Sequence, residues 1–151
     1  MIADYKFYHG VVLAQLVDKM AGPLSIDELV EDGRLCSYIL DDKVGLLIKH
    51  SSNRLPPWGF TLSIPNLLDL LSLRQRLESV FVVFVCHKVG MVTVTLDEVA
   101  AMITPGESEQ AWLRINRRPG QWYEVSGGAG ELPKRKPRGV APIIQALSAN
   151  R

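Results

Sequence analysis

The densest group of side chains that could do chemistry lies at residues 49–58, where an apolar run meets a proline-rich loop. Cations can contact phosphates, hydroxyl and amide groups can hydrogen-bond, and an indole can stack on a base. The segment therefore predicts a nucleic-acid contact made by Lys49, Ser51, Ser52, Asn53, Arg54 and Trp58. The alternative is that Trp58 and Phe60 anchor the loop on the core, while Arg54 caps carbonyl groups or pairs with a carboxylate.

A second basic group lies towards the end of the chain. Residues 127–151 hold five basic residues and one acidic residue (net +4), whereas the preceding residues hold 12 basic and 15 acidic ones (net −3). Such an asymmetry is typical of proteins that contact polyanions. We expect a polyanion-binding surface formed with Trp122 and Tyr123 by Arg114, Arg117, Arg118, Lys134, Arg135, Lys136 and Arg138. The alternative is a solvated edge and tail whose charges prevent aggregation.

Three aspartates could hold a divalent cation. Asp41 and Asp42 precede Lys43, and Asp32 could complete a carboxylate shell for Mg²⁺ while Lys43 orients a water molecule. However, adjacent strand residues point to opposite faces, and two aspartates between apolar runs are ordinary turn composition. We therefore favour a turn and expect no cofactor unless the protein is an Mg²⁺-dependent enzyme.

Other kinds of site are disfavoured by residue spacing. The histidines His9, His50 and His87 are isolated, so we expect no metal site. The glycine-rich residues 127–130 follow no strand-to-helix pattern and predict a linker rather than a phosphate-binding loop. Cys36 and Cys86 have no ligand spacing, and we interpret them as reduced, buried thiols.

The elements that must position these groups alternate between helices and strands. Apolar periodicity and capping patterns predict helices over residues 5–20, 26–30, 65–78 and 96–103, with a further helix over 140–149 that could dock. In the third of these helices Ser63 is the expected N-cap, and Leu67, Leu68 and Leu71 are expected to face inward, with Leu70 and Leu77 as further candidates. Runs rich in β-formers predict strands over residues 35–40, 44–50, 58–62, 80–86, 91–94, 111–117 and 121–125.

A chain of 151 residues with 47% hydrophobic and 22% charged residues fits one domain with a substantial core. We predict an α+β domain over residues 1–126, with a mixed five- to seven-stranded sheet and helices mainly on one face. A flexible linker and basic tail are expected over residues 127–151. No apolar run approaches the length of a membrane span, and no secretion signal is evident, so we expect a cytoplasmic protein without membrane contact.

The order of a helix, a strand hairpin, a further strand, a helix and an apolar strand over residues 5–86 resembles the core of the restriction-endonuclease-like PD-(D/E)xK superfamily. In that superfamily, an Asp and a (D/E)-x-K triple bind Mg²⁺ at the ends of neighbouring strands. One placement uses Asp32 with the residues Asp41, Asp42 and Lys43. The other places Lys49 on a strand, with Leu47 where the acid should stand. This second placement implies a degenerate site without metal, and hence binding rather than cleavage.

Three functions remain open from the sequence. We favour a non-catalytic protein associated with DNA or RNA. The first alternative is a metal-dependent nuclease with Asp32, Asp41 or Asp42 as ligands and Lys43 or Lys49 as the cation that orients water. The second is a protein–protein adaptor, whose tail docks on an acidic partner or which self-associates through a strand edge. Two carboxylates near Lys49 would favour the enzyme, whereas apolar or arginine side chains there would disfavour it.

Overall fold

The structure is a computed structural model that describes residues 1–103 and 110–149, apart from the side chain of Cys36, which lies outside the description. The elements in chain order are α1 (Asp4–Lys19), β1 (Ile26–Glu31), β2 (Arg34–Leu40), β3 (Val44–Ser51), β4 (Trp58–Ser63), α2 (Ile64–Arg76), β5 (Ser79–Cys86), β6 (Gly90–Thr95), α3 (Leu96–Met102), β7 (Gln110–Arg117), β8 (Tyr123–Gly127), β9 (Gly130–Glu131) and α4 (Ala141–Ser148).

The first sheet has five strands in the order β1-β2-β3-β5-β6. β2 is antiparallel to both β1 and β3, β3 and β5 are parallel, and β6 is antiparallel to β5. The predicted strand at 80–86 is confirmed: β5 lies inside the sheet, and its residues from Val80 to Cys86 are all buried. A continuous apolar run is what a strand covered on both faces requires.

The second sheet has four antiparallel strands in the order β4-β7-β8-β9. Its inner face packs on the first sheet: Trp58, Phe60 and Leu62 of β4 belong to one buried cluster with Phe84 of β5. The rings of Phe60 and Phe84 are 4.8 Å apart. Alternate residues of β4 and β7 are buried, so each strand also has an outward face.

The helices cover both faces of the first sheet. α1 and α4 bury Val12, Leu16, Ile143 and Leu147 against one face. α2 and α3 belong with the second sheet to the cluster on the other face. The predicted α+β class and mixed sheet are confirmed, but the strands form two sheets and the helices are divided, because both faces of β3 and β5 are apolar and need a cover. Within the described ranges, none of the helices is both apolar enough and long enough to span a bilayer.

The helix predicted at 26–30 is wrong, since these residues belong to β1 and pair with β2. The Asp-Gly pair that resembled a helix stop is a two-residue hairpin turn. Asp32 and Gly33 have φ angles of 53° and 74°, which is the left-handed backbone that such turns require.

The prediction for α2 is confirmed at its start and wrong in part on its buried face. Ser63 caps the helix, and its hydroxyl accepts a hydrogen bond from the backbone nitrogen of Asn66. The buried residues are Asp69, Leu70 and Leu73, whereas Leu68 and Leu71 are 60% and 55% exposed. A run this rich in leucine offers two apolar faces, and tertiary packing chooses between them.

The chain after Ser126 returns to the domain. Gly127 and Gly130 pair between β8 and β9, and Gly139 donates from its backbone nitrogen to the Met91 carbonyl at 2.8 Å. At Gly127 a Cβ atom would collide with the Met102 carbonyl, so this glycine serves close packing. The expected boundary at residues 127–130 is therefore corrected, because the segment is a hairpin and α4 is part of the core.

Leu147→Ala should lower the free energy of unfolding by about 2–5 kcal/mol, because it removes a fully buried side chain and leaves a cavity. Leu68→Ala is the matched control and should cost less than about 1 kcal/mol, since its side chain is largely exposed. Urea unfolding measures both. Equal small effects would mean that α4 adds nothing to the fold.

Candidate functional site

A cleft of ≈ 450 Å³ lies at the end of the β2–β3 hairpin, between α1 and α2. Among the described residues, pairing of these two strands runs from Leu40–Val44 to Tyr38–Leu46. β2 begins earlier and β3 ends later, and the cleft is lined there by Arg34, Leu35 and Ser37 of β2 and by residues 47–50 of β3. The polar lining residues are Tyr5, His9, Arg34, Ser37, Tyr38, Lys49, His50 and Asn66. Side chains from both faces of the sheet therefore meet in one opening.

On the α1 side, aromatic and imidazole rings hold one another in place. His9 Nδ1 and the Tyr38 hydroxyl share a hydrogen bond of 2.8 Å. Tyr5 packs edge-on against His9, with ring centroids 5.1 Å apart. The ring of Tyr8 stacks on His50 at 4.2 Å with an interplanar angle of 7°. Both imidazoles are thus fixed by α1.

On the α2 side, two residues of the helix position two cations. Asp69 is 8% exposed, and its carboxylate accepts hydrogen bonds of 3.1 and 3.4 Å from the Arg34 guanidinium. The Lys49 ammonium donates to Asn66 Oδ1 at 3.3 Å. That oxygen also accepts from the Ser63 backbone nitrogen at 3.1 Å, so the cap that starts α2 also orients Lys49.

The pKa values in the cleft reflect burial of positive charge. Burial lowers the pKa of Lys49. Burial and the nearby Lys49 charge lower the pKa of His50, against a smaller opposing effect of Asp4. Burial, His50 and Lys49 together lower the pKa of His9 to about 4. The described residues that line the cleft include no carboxylate, so a bound anion would relieve this repulsion.

Ser37 adds a hydrogen-bonding group to the same cleft. Its hydroxyl is buried and has no hydrogen-bond partner among the described residues. An unpaired buried hydroxyl destabilises a fold unless a ligand or water satisfies it. The cleft therefore offers a hydroxyl, imidazoles and two cations to one small polar group.

The first metal-site placement is wrong. Asp32 lies in the turn before β2, whereas Asp41 and Asp42 form the turn after it, with φ angles of 50° and 55°. The seven residues of β2 separate the two turns, which is about 20 Å. Lys43 follows the second turn, and the Asp41 carboxylate accepts from the Ser25 backbone nitrogen at 2.9 Å. No group of three or more His, Cys, Asp or Glu side chains within residues 1–103 and 110–149 could hold a metal.

Trp58 does not stack on a ligand as predicted. Its side chain is 1% exposed, and its Nε1 donates to the Asn53 carbonyl at 2.9 Å. Ser51 is buried and accepts from the Asn53 backbone nitrogen at 3.3 Å. Ser52, Asn53 and Arg54 are exposed, but the ring of Trp58 is buried and cannot stack on a base. Of its predicted contact residues, Lys49 is the one that enters the cleft.

The basic residues towards the C-terminal end are not gathered into one free surface. Glu124 pairs with Arg135 at 3.2 Å and with Arg118 at 4.0 Å. Lys136 pairs with Glu98, and the Arg117 guanidinium lies 5.4 Å from the Tyr123 ring centre. Arg114, Lys134 and Arg138 are exposed and have no ion pair within the described ranges. Arg114 and Arg138 border separate depressions, on the second sheet and beside α4 respectively.

Sequence reasoning missed most of the cleft, namely Tyr5, His9, Arg34, Ser37, Tyr38, His50 and Asn66. One signal was available: Asp69 interrupts the leucine run of α2. An acidic residue buried in an apolar helix face indicates a cationic partner, and that partner is Arg34.

Models of known protein families give no match to this chain. Searches of curated proteins and of solved structures likewise give no match.

His9 should make the free energy of unfolding of the protein depend on pH in the acid range. Its pKa of about 4 lies below the ordinary value of 6.5, so the unfolded chain binds a proton at a pH where the folded protein does not. Its contribution is fully present above pH 6.5 and is lost as the pH falls towards 4.

Urea unfolding of the wild type and of His9→Gln can be compared at about pH 7.5 and about pH 4.5. Between these pH values the free energy of unfolding should fall less in the variant than in the wild type. An NMR titration of the ring supplies the control, and titration of His9 near its ordinary value would contradict the assignment.

Proposed function

We propose that this protein is a non-catalytic binding protein that holds a phosphate group of a nucleic acid in the cleft between β2 and β3. The observation that carries the proposal is the setting of Lys49. Its ammonium group is half-buried and is held by an amide oxygen. Two imidazoles lie near it, and none of the described cleft-lining residues is acidic.

The groups around Lys49 suit a phosphate better than a neutral ligand. An ammonium is a compact point charge, a guanidinium can donate two parallel hydrogen bonds, and hydroxyl groups can donate to further phosphate oxygens. The Arg34 charge is balanced by Asp69, which fixes its geometry. Lys49 has no such acid among the residues that line the cleft. A phosphate would supply the missing negative charge.

Binding is favoured over cleavage by the residues next to Lys49. In the PD-(D/E)xK resemblance, the position two residues before the lysine belongs to an acidic metal ligand. Here that position is Leu47, which is buried in the core cluster beneath the second sheet. We therefore interpret the chain as a degenerate relative of that superfamily, one whose lysine is kept for binding and whose metal ligand is lost.

Lys49→Ala should weaken binding of a fluorescently labelled oligonucleotide about ten-fold, and should lower the slope of log affinity against log salt by about 1, because one phosphate contact is lost. Fluorescence anisotropy with single-stranded DNA and RNA between about 50 and 200 mM salt measures both quantities.

Lys134→Ala is the matched control, since Lys134 is an exposed cation outside the cleft and has no ion pair within the described residues. The proposal fails if no oligonucleotide binds at low salt, or if the Lys134 change has the same effect as the Lys49 change.

A second candidate function is protein contact through α2. Ile64, Leu68 and Leu71 are 45%, 60% and 55% exposed. Their spacing of four and three residues places them on one side of the helix. Such a stripe favours an adaptor role in which two copies of the chain pack their α2 helices together.

Changing Leu68 and Leu71 together to Ser should then weaken self-association by more than about ten-fold in sedimentation experiments, because the changes remove apolar area from the contact. Val17→Ser is the control, since Val17 is exposed at 57% on α1. A protein that stays monomeric at every concentration would exclude this role.

A further inference from the structure

The outer face of the second sheet carries an exposed aromatic ring beside an exposed cation. Trp112 and Arg114 are two residues apart on β7 and therefore point to the same side. The residues between and after them, Leu113 and Ile115, are fully buried. Trp112 is 54% exposed, which is unusual for an indole that has a core available on the opposite face of its own strand.

The neighbouring strand leaves room next to this pair. Thr61 of β4 is opposite Trp112, and Gly59 is opposite Arg114. Gly59 has no side chain, and no atom lies within 4 Å of the place where a Cβ would stand. The result is a depression of ≈ 380 Å³ bordered by Pro57, Gly59, Thr61, Trp112 and Arg114. A flat ring can lie against the indole there.

The depression has a cation at its edge. Arg114 has no ion pair in the part of the chain that the structure describes, unlike Arg118, Arg135 and Lys136. An aromatic surface with a cation next to it is complementary to a flat ring that carries a negative group, as a nucleotide does.

The outer face of β4 runs from this depression towards the N-cap of α2, Ser63. Thr61 and Ser63 lie on the same side of β4, and Asn66 links the Ser63 backbone to Lys49 by hydrogen bonds of 3.1 and 3.3 Å. Two strand residues span about 7 Å and neighbouring strands lie about 5 Å apart, so Trp112 lies within about 20 Å of Lys49. A chain of a few nucleotides can cover that distance.

We propose that Trp112 and Arg114 form a nucleobase-stacking site, and that the ligand of this protein is a single-stranded nucleic acid. The inference rests on the proposed function and narrows it. One phosphate occupies the cleft, the strand crosses the outer face of β4, and a base stacks on Trp112 while Arg114 contacts the adjoining phosphate. A duplex does not fit this description, because its bases are already stacked and paired.

The test compares two ligands on the full chain: a short oligothymidylate and the same strand with abasic residues in place of the bases. Trp112→Ala should weaken oligothymidylate binding about ten-fold and change binding of the abasic strand by less than about two-fold. Phe7→Ala is the matched control, because Phe7 is an aromatic residue on α1 that is 62% exposed, and it should leave both affinities unchanged. Trp112→Phe should restore most of the affinity.

The outcomes separate the two proposals. Lys49→Ala should weaken both ligands alike, since it removes a phosphate contact. If Lys49→Ala does so while Trp112→Ala has no effect, or weakens both ligands equally, the stacking site is overturned and the cleft stands. If Trp112→Ala weakens oligothymidylate alone and Lys49→Ala weakens neither ligand, the stacking site stands without the cleft. If neither ligand binds, both proposals are overturned. If Trp112→Ala abolishes self-association of the chain, the inference is overturned in favour of a protein-binding surface.

Discussion

The parallel pairing of β3 with β5 is the constraint on which the rest of the fold depends. Eight residue pairs join the two strands, from Val44–Ser79 to Ser51–Cys86, and both strands are apolar on both faces. Two separate covers are therefore required, and α1 with α4 supplies one while α2, α3 and the second sheet supply the other. The polar residues of β3 lie at its end, and two of them, Lys49 and His50, line the cleft.

That arrangement also explains why the cleft is positive. Tyr8 of α1 stacks on His50, and Tyr38 of β2 holds His9 of α1 by a hydrogen bond. α2 fixes Arg34 and Lys49 through Asp69 and Asn66. Asp69, which lies behind Arg34 and outside the lining, balances one of these charges, and the described residues that line the cleft include no carboxylate. Burial of the Lys49 ammonium is unfavourable, and titratable groups with such perturbed pKa values are common at binding sites.

The net charge of a segment of the sequence does not identify the cations that are available to a ligand. Arg118, Arg135 and Lys136 are close to Glu124 and Glu98, and the acids offset the charge that these cations would present to a ligand. Net charge per segment describes solubility and long-range attraction, but it does not say which cations have acids as neighbours. Pairing of β8 with β7 and the bridge from Tyr123 to Lys136 bring those acids and bases together.

The sequence by itself determined the features that depend on neighbouring residues: the helix starts at Ser63 and Thr95, the hairpin turn after β2, and the buried strand β5. It failed where a local pattern has two solutions, as at Ile26–Glu31, where a capping pattern was overruled by pairing with β2. The sequence could also not show that His9, Arg34 and Lys49 share a cleft, or that the glycines near residue 127 form a packed hairpin and not a flexible linker. Those facts depend on contacts between residues far apart in the chain, and only the packing of helices and sheets around β3 and β5 decides them.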